Sequence, residues 1–312
     1  MKVCFIGACG HTNQAYEYLK TRADVEFCGI SPESDEENLD RSRYPDIPFY
    51  SDYQKMINEQ KIDLAVISPV FAHTGKVIIE CAKRGIDVFA EKPVAATLEE
   101  LDVVEKAVKD SGIRFCAMHY LRYDPAFYHG AKLVKDGEIG EVRMVTAQKS
   151  YKYGIRPSWY SDRALYGGTI PWVGIHAIDW MYNFTGKKFL SVKSHSFGES
   201  PEMAAICQFE MENGVIGSAN IDYYRPAGAQ THGDDRVRCV GTKGVIEVRD
   251  GNIYLANQST NTVITPTEAP ELLEEFIDGK EPISAEEIFY ITRVSIAARD
   301  SADRNEVIVI GE

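Results

Sequence analysis

Positive charge is in short supply in this chain, and several other features are missing from it altogether. Of 312 residues only 34 are Lys or Arg against 47 Asp or Glu, a net charge of −13. A surface of that sign repels nucleic acid and anionic lipid, so neither is expected as a partner. No apolar run approaches the ~18–20 residues of a membrane span. The opening Met1-Lys2 passes straight into strand-like Val3-Cys4-Phe5-Ile6, which does not read as a leader peptide. Cys4, Cys9, Cys28, Cys81, Cys116, Cys207 and Cys239 are odd in number and never spaced CxxC. Buried thiols in a reducing cytoplasm are therefore expected, not a disulfide or zinc framework. HExxH and other metal spacings are absent, as are internal repeats and low-complexity tracts. What remains is 44% hydrophobic and 26% charged, an ordinary globular composition. At roughly 150 residues per domain the length suggests two domains.

The first 118 residues alternate strand and helix. Val3–Ile6 is broken by Gly7-Ala8-Cys9-Gly10 and followed by a helical stretch from about Asn13 to Lys20, then by apolar Val25–Ile30. Leu64–Ile67 is apolar throughout, as a strand buried on both faces should be. Helix-like Thr74–Lys83 ends at Gly85, a C′ residue. Val88–Ala90 is the next strand, and Thr97 with Glu100 makes a capping box for a helix burying Leu101, Val104 and Val108. Ile113–Ala117 closes the series. Such alternation predicts a parallel, doubly wound sheet over residues 1–118. Residues 119–312 read differently: a helix over Pro125–Lys135, a strand over Glu141–Lys149, then extended runs including Ala204–Glu210, Val215–Tyr223 and Val237–Val240. Gly241–Gly244 and Asp250-Gly251 are hairpin turns. Ser284 and Glu287 open a long helix to about Ser301, and Val307–Ile310 is a last strand. This half predicts an α+β domain with an open, mostly antiparallel sheet. The acidic stretch Glu33–Asp40 reads as a solvated loop.

Gly7-x-x-Gly10 lies between the first strand and first helix, where exposed amides receive anions such as a dinucleotide diphosphate. Cys9 and Thr12 stand where the G-x-G-x-x-G fingerprint has glycines, so the motif alone is weak. Ser31 occupies the end of the second strand, where an acid normally binds ribose. Its lack of charge admits a 2′-phosphate while Asp35-Glu36-Glu37 repels one, with Arg41 and Arg43 as possible counter-charges; NAD and NADP both stay open. Glu91-Lys92-Pro93 sits at the carboxyl end of a parallel strand, and Pro93 holds Lys92 extended, a fixed cation suited to a developing alkoxide. If Trp172–Trp180 is helical, Trp172, His176 and Trp180 share a face with Asp179 beside it. His176 is then either an acid/base near its ordinary pKa of ~6.5 or a core histidine satisfied by Asp179. His73 and His119 read as structural or cofactor-adjacent. Tyr151, Tyr153, Trp159, Tyr160 and Tyr166 form either a sugar-stacking loop or a hydrophobic satellite cluster.

Taken in order, Ile67–His73, Cys81–Pro93, Gly137–Val142, Gly167-Gly168 and His176-x-x-Asp179 resemble the Gfo/Idh/MocA family, the glucose-fructose oxidoreductase and inositol dehydrogenase group. The resemblance implies that Gly7, Cys9, Gly10, His11, Thr12, Ser31, Ser68, Pro69, His73, Glu91, Lys92 and Pro93 surround NAD or NADP, with a cis bond before Pro93. It implies Lys92 and His176 as the catalytic pair, and Tyr120, Arg122, Tyr160, Trp172 and Asp179 as substrate contacts. It also implies a dimer or tetramer formed through the open sheet. Trp172 departs from the family, whose dehydrogenases carry Asp there; Asp179 or Asp162 are the candidates to compensate. The expected activity is hydride transfer between nicotinamide and a sugar, cyclitol or related polyol. A cofactor-binding sensor that has lost catalysis and an NAD-dependent glycosidase are the competing readings.

Overall fold

The computed structural model describes residues 1–311. In chain order the elements begin β1 (Lys2–Ile6), α1 (Thr12–Leu19), β2 (Glu26–Ser31), α2 (Tyr53–Glu59), β3 (Leu64–Ile67) and α3 (Thr74–Lys83). Next come β4 (Asp87–Ala90), α4 (Leu98–Ser111), β5 (Phe115–Ala117), α5 (Pro125–Lys135), β6 (Val142–Tyr151), α6 (Arg163–Tyr166) and α7 (Ile175–Thr185). The remainder is β7 (Phe189–Phe197), β8 (Ala204–Met211), β9 (Ile216–Asp222), β10 (Gly233–Gly241), β11 (Gly244–Arg249) and β12 (Asn252–Asn257). The chain ends with β13 (Asn261–Ile264), α8 (Leu272–Ile277), α9 (Ala285–Arg304) and β14 (Ile308–Val309). The backbone forms two compact units. One gathers Met1–Met118, Asp162–Gly167 and Leu272–Thr292, and the other holds His119–Ser161, Gly168–Glu271 and Arg293–Glu312.

The first unit carries a five-stranded parallel sheet in the order β2-β1-β3-β4-β5. Every residue of β3 is buried, as its unbroken apolar run requires. Strand order reverses between β1 and β3, and the carboxyl ends flanking that point are Gly7 and Ser68-Pro69, where such sheets take ligands. Phe5 anchors the core beneath, its ring 5.8 Å from Phe27 and 6.3 Å from Tyr16. Thr97 caps α4 by accepting from the Glu100 amide at 3.1 Å. The reciprocal half of the box slips by one residue: the Glu100 carboxylate takes the amide of Ala96, not of Thr97. The acidic stretch is solvated only in part, at Asp35, Glu36 and Asp40. Glu37 is 8% exposed and accepts from the Val70 amide at 3.1 Å, while Glu33 pairs with His73 and Lys76. Glu33 and Glu37 turn inward because α3 and the Val70 turn offer them cations and an amide.

The second unit is built on a nine-stranded sheet, β13-β12-β11-β10-β6-β9-β8-β7-β14, in which only β6 and β9 run parallel. Asp250 and Gly251 both take positive φ, the geometry of a two-residue hairpin. Helices α5 and α7 pack on one face. Strict alternation in β8 buries Ala205, Cys207 and Phe209 and leaves Ile206 on the other face, 51% exposed. The segment before α7 departs from the expected regular helix: Ile170–Gly174 forms a π-helical turn. That turn spoils the α-helical four-residue spacing, so Trp172 is not one α-turn from His176, whereas His176 and Trp180 do stack at 6.3 Å.

Candidate active site

The turn after β1 is tied down from within the first unit. Gly7 takes φ +78°, and a Cβ on it would lie 2.5 Å from the backbone of Pro69. The amide of Cys9 donates to the Ser68 carbonyl at 2.8 Å and that of Gly10 to the Ser68 hydroxyl at 2.8 Å. The His11 amide donates to Glu91 at 2.6 Å. Three successive amides are thus spent on the ends of β3 and β4. The next two, Thr12 and Asn13, begin α1, whose first turn holds no acid. Thr12 closes the turn through its hydroxyl, which donates to the Gly7 carbonyl at 3.3 Å. A diphosphate fits at the half-buried Asn13 end of that first turn, Thr12 being fully buried, and not in the turn itself.

Glu91 is the hub. Its carboxylate meets the His11 ring Nδ1 at 2.9 and 3.0 Å and the Lys92 amide at 3.1 Å, with the Lys92 ammonium 4.0 Å away. Burial would raise this carboxyl, but the charges and hydrogen bonds of His11 and the Lys92 ammonium outweigh it and hold it down at about 2. The Lys92–Pro93 bond is cis, as the family resemblance implied, and Lys92 is 2% exposed.

At the end of β2, Ser31 is buried and its hydroxyl donates to the Pro32 carbonyl. Beyond it a hollow of about 370 Å³ is lined by Glu33, Asp35, Asp52 and Lys76 among others. His73, expected beside the cofactor, is held by Glu33 at 2.5 Å. The Arg41 guanidinium lies over the ring of Phe49 at 4.1 Å, and Phe49 bridges Ile30 beside Ser31.

In the second unit, α7 presents His176, Asp179 and Trp180, all buried. Asp179 is not the acceptor that satisfies His176. Arg122 grips its carboxylate, and His119 Nδ1 lies 3.4 Å from it. Burial favours the neutral acid, but Arg122 and His119 prevail and keep Asp179 well below the usual carboxylate range. The other candidate replacement for the missing acid, Asp162, is occupied as the N-cap of α6, accepting from the Ala164 amide. Trp172 is 8% exposed and Tyr120 is 7% exposed. Tyr160 stacks on Trp159 at 4.4 Å, Tyr153 meets Tyr223, and Tyr166 packs on Phe71 in the first unit. The Arg156 guanidinium lies over both Tyr160 and Tyr223, at 5.3 and 5.7 Å, and so joins two of these aromatic pairs.

Sequence reasoning missed a buried pair beside these residues. Lys149 bonds Asp235 at 2.5 Å and lies over the rings of Tyr151 and Trp180 at 4.2 and 5.3 Å. Burial drives the Lys149 ammonium down to about 8 despite Asp235. No local pattern marks such a pair, because its members are 86 positions apart.

With this geometry in view, the chain belongs to the Gfo/Idh/MocA oxidoreductases. Residues 1–119 match the profile of the oxidoreductase family with an NAD-binding Rossmann fold, and residues 129–247 match the GFO/IDH/MocA C-terminal domain. A solved chain from Thermotoga maritima, described in general terms as an oxidoreductase, is 38% identical with a TM-score of 0.94. That match covers 99% of this chain and 100% of that one. Among curated relatives, the scyllo-inositol 2-dehydrogenase (NAD(+)) of Bacillus subtilis is 26% identical over 62% of this chain and 57% of its own. An NADP(+)-dependent scyllo-inositol 2-dehydrogenase of the same organism is 23% identical over 58% and 46%. The matches thus span about half the length of these curated relatives.

Proposed function

We propose that the protein is a dehydrogenase acting on a hydroxyl or carbonyl group of a sugar, cyclitol or related polyol. The observation that carries this reading is Lys92, a buried ammonium at the carboxyl end of a parallel strand, next to a carboxylate already matched by a second partner. Bound nicotinamide cofactor supplies the hydride acceptor or donor. The first turn of α1, at Asn13, receives the diphosphate, with Gly7, Gly10, Thr12, Ser68 and Pro69 shaping the turn before it. The Lys92 ammonium donates to the substrate oxygen and stabilises its developing negative charge. His176 takes up the hydroxyl proton in oxidation and returns it in reduction. Tyr120, Arg122 and Trp172 shape the substrate side, Arg122 also fixing Asp179. We infer NAD over NADP: three carboxylates and one ammonium around the hollow beyond β2 disfavour a 2′-phosphate.

The test is a panel of scyllo-inositol, myo-inositol and glucose with NAD(+) or NADP(+), followed at the nicotinamide absorbance. Lys92→Met is expected to lower kcat by about 10²–10³-fold, as for loss of one oxyanion donor, with NADH affinity within about threefold of wild type. Turnover unchanged in that variant would overturn the reading. A cofactor-binding sensor is the second reading, favoured by Trp172 and by the prior engagement of Asp179 and Asp162; tight NADH binding without turnover of any compound in the panel would select it. The free thiols, six of seven buried, are consistent with a reducing, cytoplasmic setting.

A further inference from the structure

His11 belongs to no dinucleotide fingerprint, yet it makes both a backbone and a side-chain contact with Glu91, 80 positions away. The Glu91 side chain is 1% exposed, and it stands between the His11 ring, 30% exposed, and the Lys92 ammonium, 3% exposed. One anionic charge therefore serves two groups that can each be cationic. Because the Glu91 carboxyl is held ionised, it can only accept, and the His11 Nδ1 donates to it. The charged and polar groups gathered on this carboxylate are the His11 amide and ring and the Lys92 amide and ammonium, with the Ser68 hydroxyl taking the Gly10 amide beside it. Glu33 and Glu37, from the segment after β2, face Cys9.

We propose that His11 is a positioning residue that works through Glu91 on Lys92, setting how much of that ammonium is available to a substrate oxygen. With the imidazolium in place the carboxylate carries a second counter-charge and holds the Lys92 ammonium less tightly. With a neutral imidazole the carboxylate draws the ammonium to itself. The inference rests on the reading of Lys92 as the cation of the site. It also assigns Gly10 a reason for being glycine: a Cβ there would come within 2.0 Å of the Glu91 oxygen that both His11 donors share.

Linkage makes the proposal testable without cofactor or turnover, because two cations sharing one carboxylate must each weaken the other's hold. The His11 imidazole of the free protein is titrated by NMR in the wild type, Lys92→Met and Glu91→Gln. Lys92→Met is expected to raise the midpoint by about half a unit, and Glu91→Gln to lower it by about one unit or more. If Glu91→Gln does not fold, Lys92→Met decides alone; a midpoint unmoved by it overturns the proposal. A second arm uses NADH binding and scyllo-inositol turnover in His11→Gln, which keeps a donor toward Glu91 but loses the charge. Its kcat is expected to fall about tenfold with NADH affinity within about threefold, and its pH profile should differ from that of the wild type. A wild-type kcat and pH profile in His11→Gln, alongside a crippled Lys92→Met, would sink this inference and leave the dehydrogenase intact. Normal turnover in Lys92→Met would instead remove the reading beneath it.

Discussion

Glu91 occupies the space that a side chain at position 10 would need: a Cβ built on Gly10 falls 2.0 Å from Glu91 Oε2 and 2.9 Å from Ser68 Oγ. The second glycine of the turn thus makes room for a protein carboxylate, and the ends of three parallel strands are sewn together around it.

Gly10→Ala is accordingly expected to lose about 1–3 kcal/mol of stability, the usual cost of forcing a group into packed space. Chemical denaturation gives the loss, and NADH fluorescence titration should show weakened binding, since α1 starts two residues later. An unchanged denaturation midpoint would mean that Glu91 moves aside freely.

Glu37 gives stability a pH dependence of definite sign. Burial pushes its carboxyl up to about 8, the Val70 amide opposing only in part. Between an unfolded value near 4.5 and about 8 the folded state binds more protons, so stability falls as pH rises through that window. Glu37→Gln, which keeps an acceptor for Val70, should flatten the change in denaturation midpoint between pH 5.5 and 8.5. Equal slopes for variant and wild type would refute this.

The buried pair of Lys149 and Asp235 predicts an asymmetry. Asp235→Asn leaves an ammonium whose side chain is 1% exposed without its counter-charge, a loss of about 3–5 kcal/mol. Lys149→Met leaves a carboxylate that is 21% exposed and can reach water, and it puts an apolar chain against Tyr151 and Trp180; it should cost clearly less. Because Lys149 is depressed toward 8 from 10.5, wild-type stability should rise from pH 8 to 10.5, and this rise should vanish in Lys149→Met. Denaturation curves at three pH values decide both points.

The uncovered face of the nine-stranded sheet carries Ile206, Ile216 and Phe197 at 51, 56 and 69% exposure. We propose that copies of the chain associate there. Ile206→Glu with Ile216→Glu should shift the mass measured by light scattering toward the monomer; a wild type already monomeric at micromolar concentration would dispose of the idea.

The doubly wound half was legible because its signals are local: apolar runs, the Thr97 cap, Gly85 after α3. Less was visible where the determining partner is remote. Helix α2 lacks a strong apolar stripe and starts on Asp52, which takes the amides of Gln54 and Lys55. The π-helical turn before α7 gives no periodic sign, and the inward turn of Glu33 and Glu37 depends on His73, Lys76 and Val70. Of the site, the sequence marked Glu91, Lys92 and His176 as candidates, yet it misjudged Asp179, whose partners Arg122 and His119 lie on another element.

By itself, then, the sequence determined the alternation that forces a parallel sheet, the antiparallel grammar that follows, and the identity of the ionisable groups near the strand ends. Only the tertiary structure decided which carboxylate answers which cation. Strand and helix periods are set by neighbours within a few residues, whereas a buried charge is settled by whatever the fold brings within about 4 Å of it, here across 57 positions for Arg122 and Asp179 and 80 for His11 and Glu91.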